Sequence, residues 1–343
     1  MKLVLVTAAL LIIGLTVRMV LPGEEIAGQS FEKQKGVCWV GGRQVVTQSE
    51  FRPLIENHIQ WISQTPFGWQ SNNSSTEVIA NTNFERTWWG ESDVGIKQTT
   101  LLARQNKIKT ILKPHLWVRG SWPGEIKMDS EENWQKWFSS YTDFILHYAK
   151  LAEEQDIEIL CIGTELSHST KYEYRWRDLI HKIRQVYSGK LTYAANFHDE
   201  YQHIKFWDAL DFIGIQGYFS LSQYNNPTIE ELTSGWSLHL ETIEQLYEQY
   251  KKPVLFTEIG YRSAEDAAIE PWKWPQENKE IRPSDETQAN CYEAFFSSVW
   301  QKKWVAGAYF WKWYPHGYHP LQTIDFTPQG KAAEKVLASH FKD

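Results

Sequence analysis

From residue 36 onward the chain alternates short apolar runs with longer stretches in which apolar residues recur every three or four positions. The runs 36–42, 59–67, 108–117, 157–166, 190–197, 211–219, 252–260 and 306–313 have the length and the β-branched or aromatic content of buried strands. Between them a helical period predicts helices over 50–57, 93–106, 131–154, 172–187, 201–209, 228–250 and 286–302, with a last one over 330–341. Strands alternating with helices indicate parallel βαβ units. Eight units in succession predict an α/β fold, a (β/α)8 TIM barrel in one domain over residues 31–343. An open doubly wound sheet is the competing arrangement, but no Gly-x-Gly-x-x-Gly turn follows the first run and no Walker-type loop occurs anywhere.

Two connections exceed ordinary loop length, 68–93 and 261–286, and both carry tryptophans. Long connections in compact domains are commonly functional. The first 30 residues stand apart: a basic Lys2, then an apolar run from Leu3 to Val17 ended by Arg18. That run has the length of a secretory h-region and falls short of a membrane span. A signal peptide and export are expected, with an uncleaved amino-terminal membrane anchor as the alternative.

Composition narrows the partners. Of 343 residues 35 are Lys or Arg and 42 Asp or Glu, a net charge of −7 that repels phosphate backbones and argues against nucleic acid. Three cysteines, Cys38, Cys161 and Cys291, lack CxxC spacing and read as small buried hydrophobes. The histidines have no metal-ligand spacing, so neither a metal nor a cofactor is expected. Aromatics are the outlier, with 18 Trp, 16 Tyr and 16 Phe. Most must fill the core, and the surplus suits a cleft that stacks sugar faces.

The candidate chemistry sits at strand ends. On a regular strand Ile159, Cys161, Gly163 and Glu165 share one face, as do Val254, Phe256 and Glu258. A barrel would bring both glutamates to its carboxyl-terminal rim, one from the fourth strand and one from the seventh. A lone carboxylate there commonly caps a helix or pairs with an arginine. Two at matching ends, among aromatics, form the minimum apparatus for cleaving a glycosidic bond. A separation of about 5–5.5 Å gives retention and about 6.5–9.5 Å inversion, and sequence spacing leaves both open. Further candidates for sugar contact are His115 at the end of the third strand, Trp88 and Trp89 in the first long connection, and Trp272 and Trp274 in the second. Each has a plain packing role as its alternative.

The runs "CIGTEL", "LTYAANF", "FWDALDFIGIQGYF", "KPVLFTEIGYRS", "LKPHLWV" and "GAYFWKWYP" together resemble glycoside hydrolase family 113, the β-mannanase-type enzymes of clan A, from about residue 36 to residue 315. The resemblance implies an endo-acting, retaining hydrolase of β-1,4-mannan or manno-oligosaccharides, with Glu165 as acid/base and Glu258 as nucleophile. It also implies that Tyr218, ending the sixth strand, donates to the nucleophile and that Trp311 forms an aromatic floor. Many clan A barrels carry Asn before the acid/base, where this chain has Thr164, and Asn196 is the amide that could replace it. Two other readings stand beside this one: an exo-acting β-mannosidase or other β-glycosidase on short oligosaccharides, and a glycan-binding barrel without turnover.

Overall fold

The computed structural model describes residues 32–83, 85, 87–273, 281–317 and 323–342. The amino-terminal segment read as a leader or anchor, and Trp274, lie outside these. Eight parallel strands close a barrel: β1 (Gln34–Trp39), β2 (Trp61–Gln64), β3 (Lys109–Leu112), β4 (Ile159–Thr164), β5 (Lys190–Ala195), β6 (Ile213–Gln216), β7 (Val254–Ile259) and β8 (Val305–Trp313). Neighbours in sequence are neighbours in the barrel, and β8 pairs with β1 to close it. A helix follows each strand: α1 (Arg52–Glu56), α2 (Asp93–Gln105), α3 (Glu131–Glu154), α4 (Glu173–Arg184), α5 (Glu200–His203), α6 (Ile229–Tyr250), α7 (Asp285–Ala294) and α8 (Ala332–Lys342). This is the (β/α)8 barrel. Among the described residues no helix is long and apolar enough to cross a membrane.

Two apolar runs each break into two strands, and the break falls at a proline. Pro66 ends the extension of β2, after which Phe67–Gln70 starts a separate strand; Pro114 does the same between β3 and His115–Val118. Proline donates no ladder hydrogen bond, so a barrel strand stops where it enters. The displaced segments pair in parallel, Phe67 opposite His115, and Ile79–Ala80 adds an antiparallel third strand. The resulting small sheet stands on the rim above β2 and β3.

The aromatic surplus is mostly core. Helix α3 buries Trp134, Trp137, Phe138, Tyr141, Phe144 and Tyr148 on one face, the stripe that a helical period produces. Its amino-terminal N–H of Asn133 is capped by the Ser130 hydroxyl at 3.2 Å. Tyr141 then donates to the carbonyl of Ile162 at 2.9 Å, tying α3 to β4. A smaller cluster including Cys38, Trp61, Ile159, Cys161 and Leu255 fills the barrel interior. All three cysteines are buried and unbridged.

Candidate active site

The two glutamates reach the barrel mouth by breaking strand alternation. Ile159 and Cys161 point into the barrel, whereas Ile162 packs outside it. Gly163 also faces outward: a Cβ there would lie 2.7 Å from the Tyr193 ring and 2.8 Å from that of Trp176. Pairing with β5 slips by one residue between Cys161 and Thr164, a bulge. Glu165 follows in a left-handed conformation, φ 53°, which is uncommon for a non-glycine residue. Its N–H bonds the Ala194 carbonyl at 2.9 Å, and the next N–H, of Leu166, donates to the Tyr193 hydroxyl at 2.7 Å. In β7 it is Leu255 that faces the interior, with Val254 and Phe256 outside. A second bulge between Phe256 and Glu258 turns Glu258 inward. The regular one-face alternation expected of both strands is therefore wrong, and two bulges deliver the carboxylates instead.

Both line one cavity of about 620 Å³, together with Asn196, Tyr218, His115 and Trp311. Their surroundings are opposite. Glu258 is buried against Lys113, whose ammonium pairs with Oε1 and also donates to the Thr257 carbonyl at 3.0 Å. Tyr218 donates to Oε2 at 2.7 Å. Burial alone would favour the protonated acid, but the Lys113 charge and the donors from Lys113 and Tyr218 outweigh it, leaving Glu258 below the usual carboxylate range. The His115 imidazole lies 3.5 Å from Oε1, and burial with the Lys113 charge pushes it down to about 3. It is therefore neutral, and the counter-charge belongs to Lys113.

Burial, and then the charge on Glu258, push the carboxyl of Glu165 upward. Two donors partly offset this: the Trp122 indole N–H, 3.1 Å from Oε2, and the Asn196 amide, 2.8 Å from Oε1. Trp122 folds back over Gly124, whose missing Cβ leaves room for the ring. Behind Asn196 lies buried Glu200, which takes the Asn196 N–H at 2.8 Å and the Tyr193 hydroxyl at 2.6 Å. Tyr193 and Glu200 thus link the backbone after Glu165 to the amide that holds its side chain.

Asn196 is engaged with Glu165 through its amide, and its carbonyl takes the N–H of His198 at 2.9 Å. Trp272 lines the cavity, its ring tilted against Phe197 with centroids 5.0 Å apart. The platform expected of Trp88 and Trp89 does not form at this cavity. Trp89 is packed into the core beneath the first long connection, and Trp88 faces solvent beside Arg43, 5.7 Å from ring centroid to guanidinium. Sequence reasoning passed over Lys113, Trp122 and Glu200. Lys113 carried a signal, a charge closing the apolar run "IKTIL" as Glu165 closes its own. Trp122 sits in a connection and Glu200 opens the four-residue α5, where nothing periodic marks them.

A solved β-1,4-mannanase complex of glycoside hydrolase family 113 superposes with a TM-score of 0.78 at 27% identity, covering 91% of this chain and 99% of the other. The family 113 β-mannanase of Alicyclobacillus acidocaldarius in complex with ManMIm gives 0.78 and 27% over 90% and 97%. A β-glucuronidase from Ruminococcus gnavus, 12% identical with a TM-score of 0.59 over 91% of this chain and 50% of its own, shares the fold alone. Among curated protein sequences none matches. The model of Glycoside Hydrolase Family 113 matches residues 39–331, which takes in every strand end described above, and the chain belongs to that family of glycoside hydrolases.

Proposed function

We propose that the chain cleaves β-1,4-mannosidic bonds with retention, Glu258 acting as nucleophile and Glu165 as acid/base. One observation carries this reading: two carboxyls in one cavity are driven in opposite directions, Glu258 toward the charged form and Glu165 toward the protonated one. Glu258 attacks the anomeric carbon while Glu165 gives its proton to the departing glycosidic oxygen. Glu165, now a carboxylate, takes a proton from water, which displaces Glu258 from the glycosyl ester. The Lys113 and Tyr218 donors suit a carboxylate that must stay ionised until it bonds carbon. The β-1,4-mannan specificity is drawn from the family 113 relatives.

Proton NMR of the first-formed anomer from an aryl β-mannoside tests the stereochemistry: β-mannose first supports retention, α-mannose refutes it. Glu165→Gln should lose about 10²–10⁴-fold on mannan but far less on aryl mannosides whose leaving groups need no proton. Products from mannohexaose separate endo from exo action, since release of mannose alone would exclude internal cleavage. The same reading takes the amino-terminal segment for an export signal, to be checked by the chain's location in the expressing host.

A further inference from the structure

A second cavity, of about 580 Å³, adjoins the first and shares Trp122, Asn196 and His198 with it. Its walls come from the connection after β4, with His168 and Lys171, and from the start of α5 and beyond, with His203 and Lys205. The protein carries 42 acidic against 35 basic residues, whereas this cavity sets two lysines, Lys171 and Lys205, against two acids, Asp199 and Glu200. Its two acids are both engaged: Asp199 lies 3.3 Å from His203, and Glu200 is buried under the hydroxyl of Tyr193 and the N–H of Asn196. Burial pushes Glu200 up to about 8, which weakens its charge near neutrality. Among the described residues no carboxylate lies within 4.0 Å of the Lys171 or Lys205 ammonium. Burial and then the charges of Lys171 and Lys127 hold the His168 imidazole down, with Glu125 opposing them.

The cavity lies on the Glu165 side of the site. Trp122 and Asn196, which divide the two spaces, are the donors to Glu165, whereas none of the groups bonded to Glu258 lines the second space. Resting on the proposed mechanism, a proton passed from Glu165 goes to the oxygen of the leaving sugar. The leaving end of the glycan therefore runs toward Lys171 and Lys205. We propose that this cavity receives an anionic substituent, a carboxylate or a phosphoryl group, on the leaving-group portion of the glycan. Exposed ammonium groups attract such anions over several ångströms, most strongly at low salt.

The test compares mannotetraose, its aldonate oxidised at the reducing end, and mannotetraose bearing a 6-phosphate on the reducing sugar. At low ionic strength at least one anionic substrate should show kcat/KM about three- to tenfold above the neutral one. High salt should erase the gain. Lys171→Ala with Lys205→Ala should also abolish it while leaving neutral mannotetraose within about twofold, as expected of surface changes away from the reacting atoms. A gain with the aldonate assigns a carboxylate, and a gain with the phosphate alone assigns a phosphoryl group. No gain with either, or a gain that survives the double variant, overturns the proposal. Should wild type leave all three substrates intact, the hydrolase assignment of Glu165 and Glu258 fails, and calorimetric titration with mannonate and with inorganic phosphate decides this one. Saturable binding lost in the double variant upholds the anion site, and its absence refutes it.

Discussion

The Tyr218 hydroxyl donates to Oε2 of Glu258 at 2.7 Å while Lys113 occupies Oε1. The proposed nucleophile is thereby held on both oxygens at the end of a bulged strand. A hydrogen bond to a charged group contributes about 1.5–3 kcal/mol. Tyr218→Phe should then lower kcat by about ten- to a hundredfold. It should also move the acidic limb of the kcat/KM profile to higher pH, because Glu258 loses a donor that favours its charged form. An unchanged acidic limb would detach Tyr218 from the ionisation of Glu258.

Lys113→Met keeps the volume and removes the counter-charge. Breaking a buried pair by deleting one partner costs about 3–5 kcal/mol, because the remaining charge is stranded. The penalty should shrink when Glu258→Gln is added, a reversal that urea denaturation of the single and double variants reads directly. The pH dependence has a definite sign. The folded-state pKa of Glu258 lies below its ordinary 4.5. Its stabilisation is thus present above that ordinary value and is lost as pH falls through the folded value. In Lys113→Met this acid-sensitive component should vanish.

Trp122 acts on the other limb. Its indole N–H favours the charged form of Glu165 and so opposes the burial that raises it. Trp122→Phe keeps most of the ring and deletes the donor. Glu165 should then hold its proton to higher pH, moving the descending limb of kcat/KM in the alkaline direction. A shift the other way would mean that water, admitted by the smaller ring, replaces the indole as the stronger donor.

Much of this architecture was legible because it rests on periodicity. Helix α3 occupies residues 131–154 as its apolar spacing and its Ser130 cap require. Strand ends were harder, because apolar runs over 59–67 and 108–117 conceal prolines that divide them. Both glutamates do reach one cavity, but through bulges that an alternating pattern cannot contain. Gly163 records one of them: only a residue without a side chain fits against Tyr193 and Trp176 where the strand shifts. Trp89 misled for the converse reason. A tryptophan in a long connection reads the same whether the ring meets a sugar or, as here, the core beneath.

Glu200 allows a test that needs no substrate. Burial, partly opposed by the Asn196 N–H and the Tyr193 hydroxyl, raises its carboxyl from an ordinary 4.5 to about 8. Below 4.5 the folded and unfolded chains both hold this proton, and the group costs nothing. Between 4.5 and about 8 the unfolded chain releases it while the folded one retains it, so stability falls by about 1.4 kcal/mol per pH unit. Above about 8 the loss levels off, at a total of about 3–5 kcal/mol. Glu200→Gln removes the titration and keeps an oxygen for Tyr193. Relative to wild type, the variant should gain stability progressively from pH 5 to 8 in denaturant melts, while every other carboxyl cancels in the difference. Parallel curves would mean that Glu200 is ionised in the folded chain. The amide that holds Glu165 would then be fixed by a charge rather than by a neutral acid.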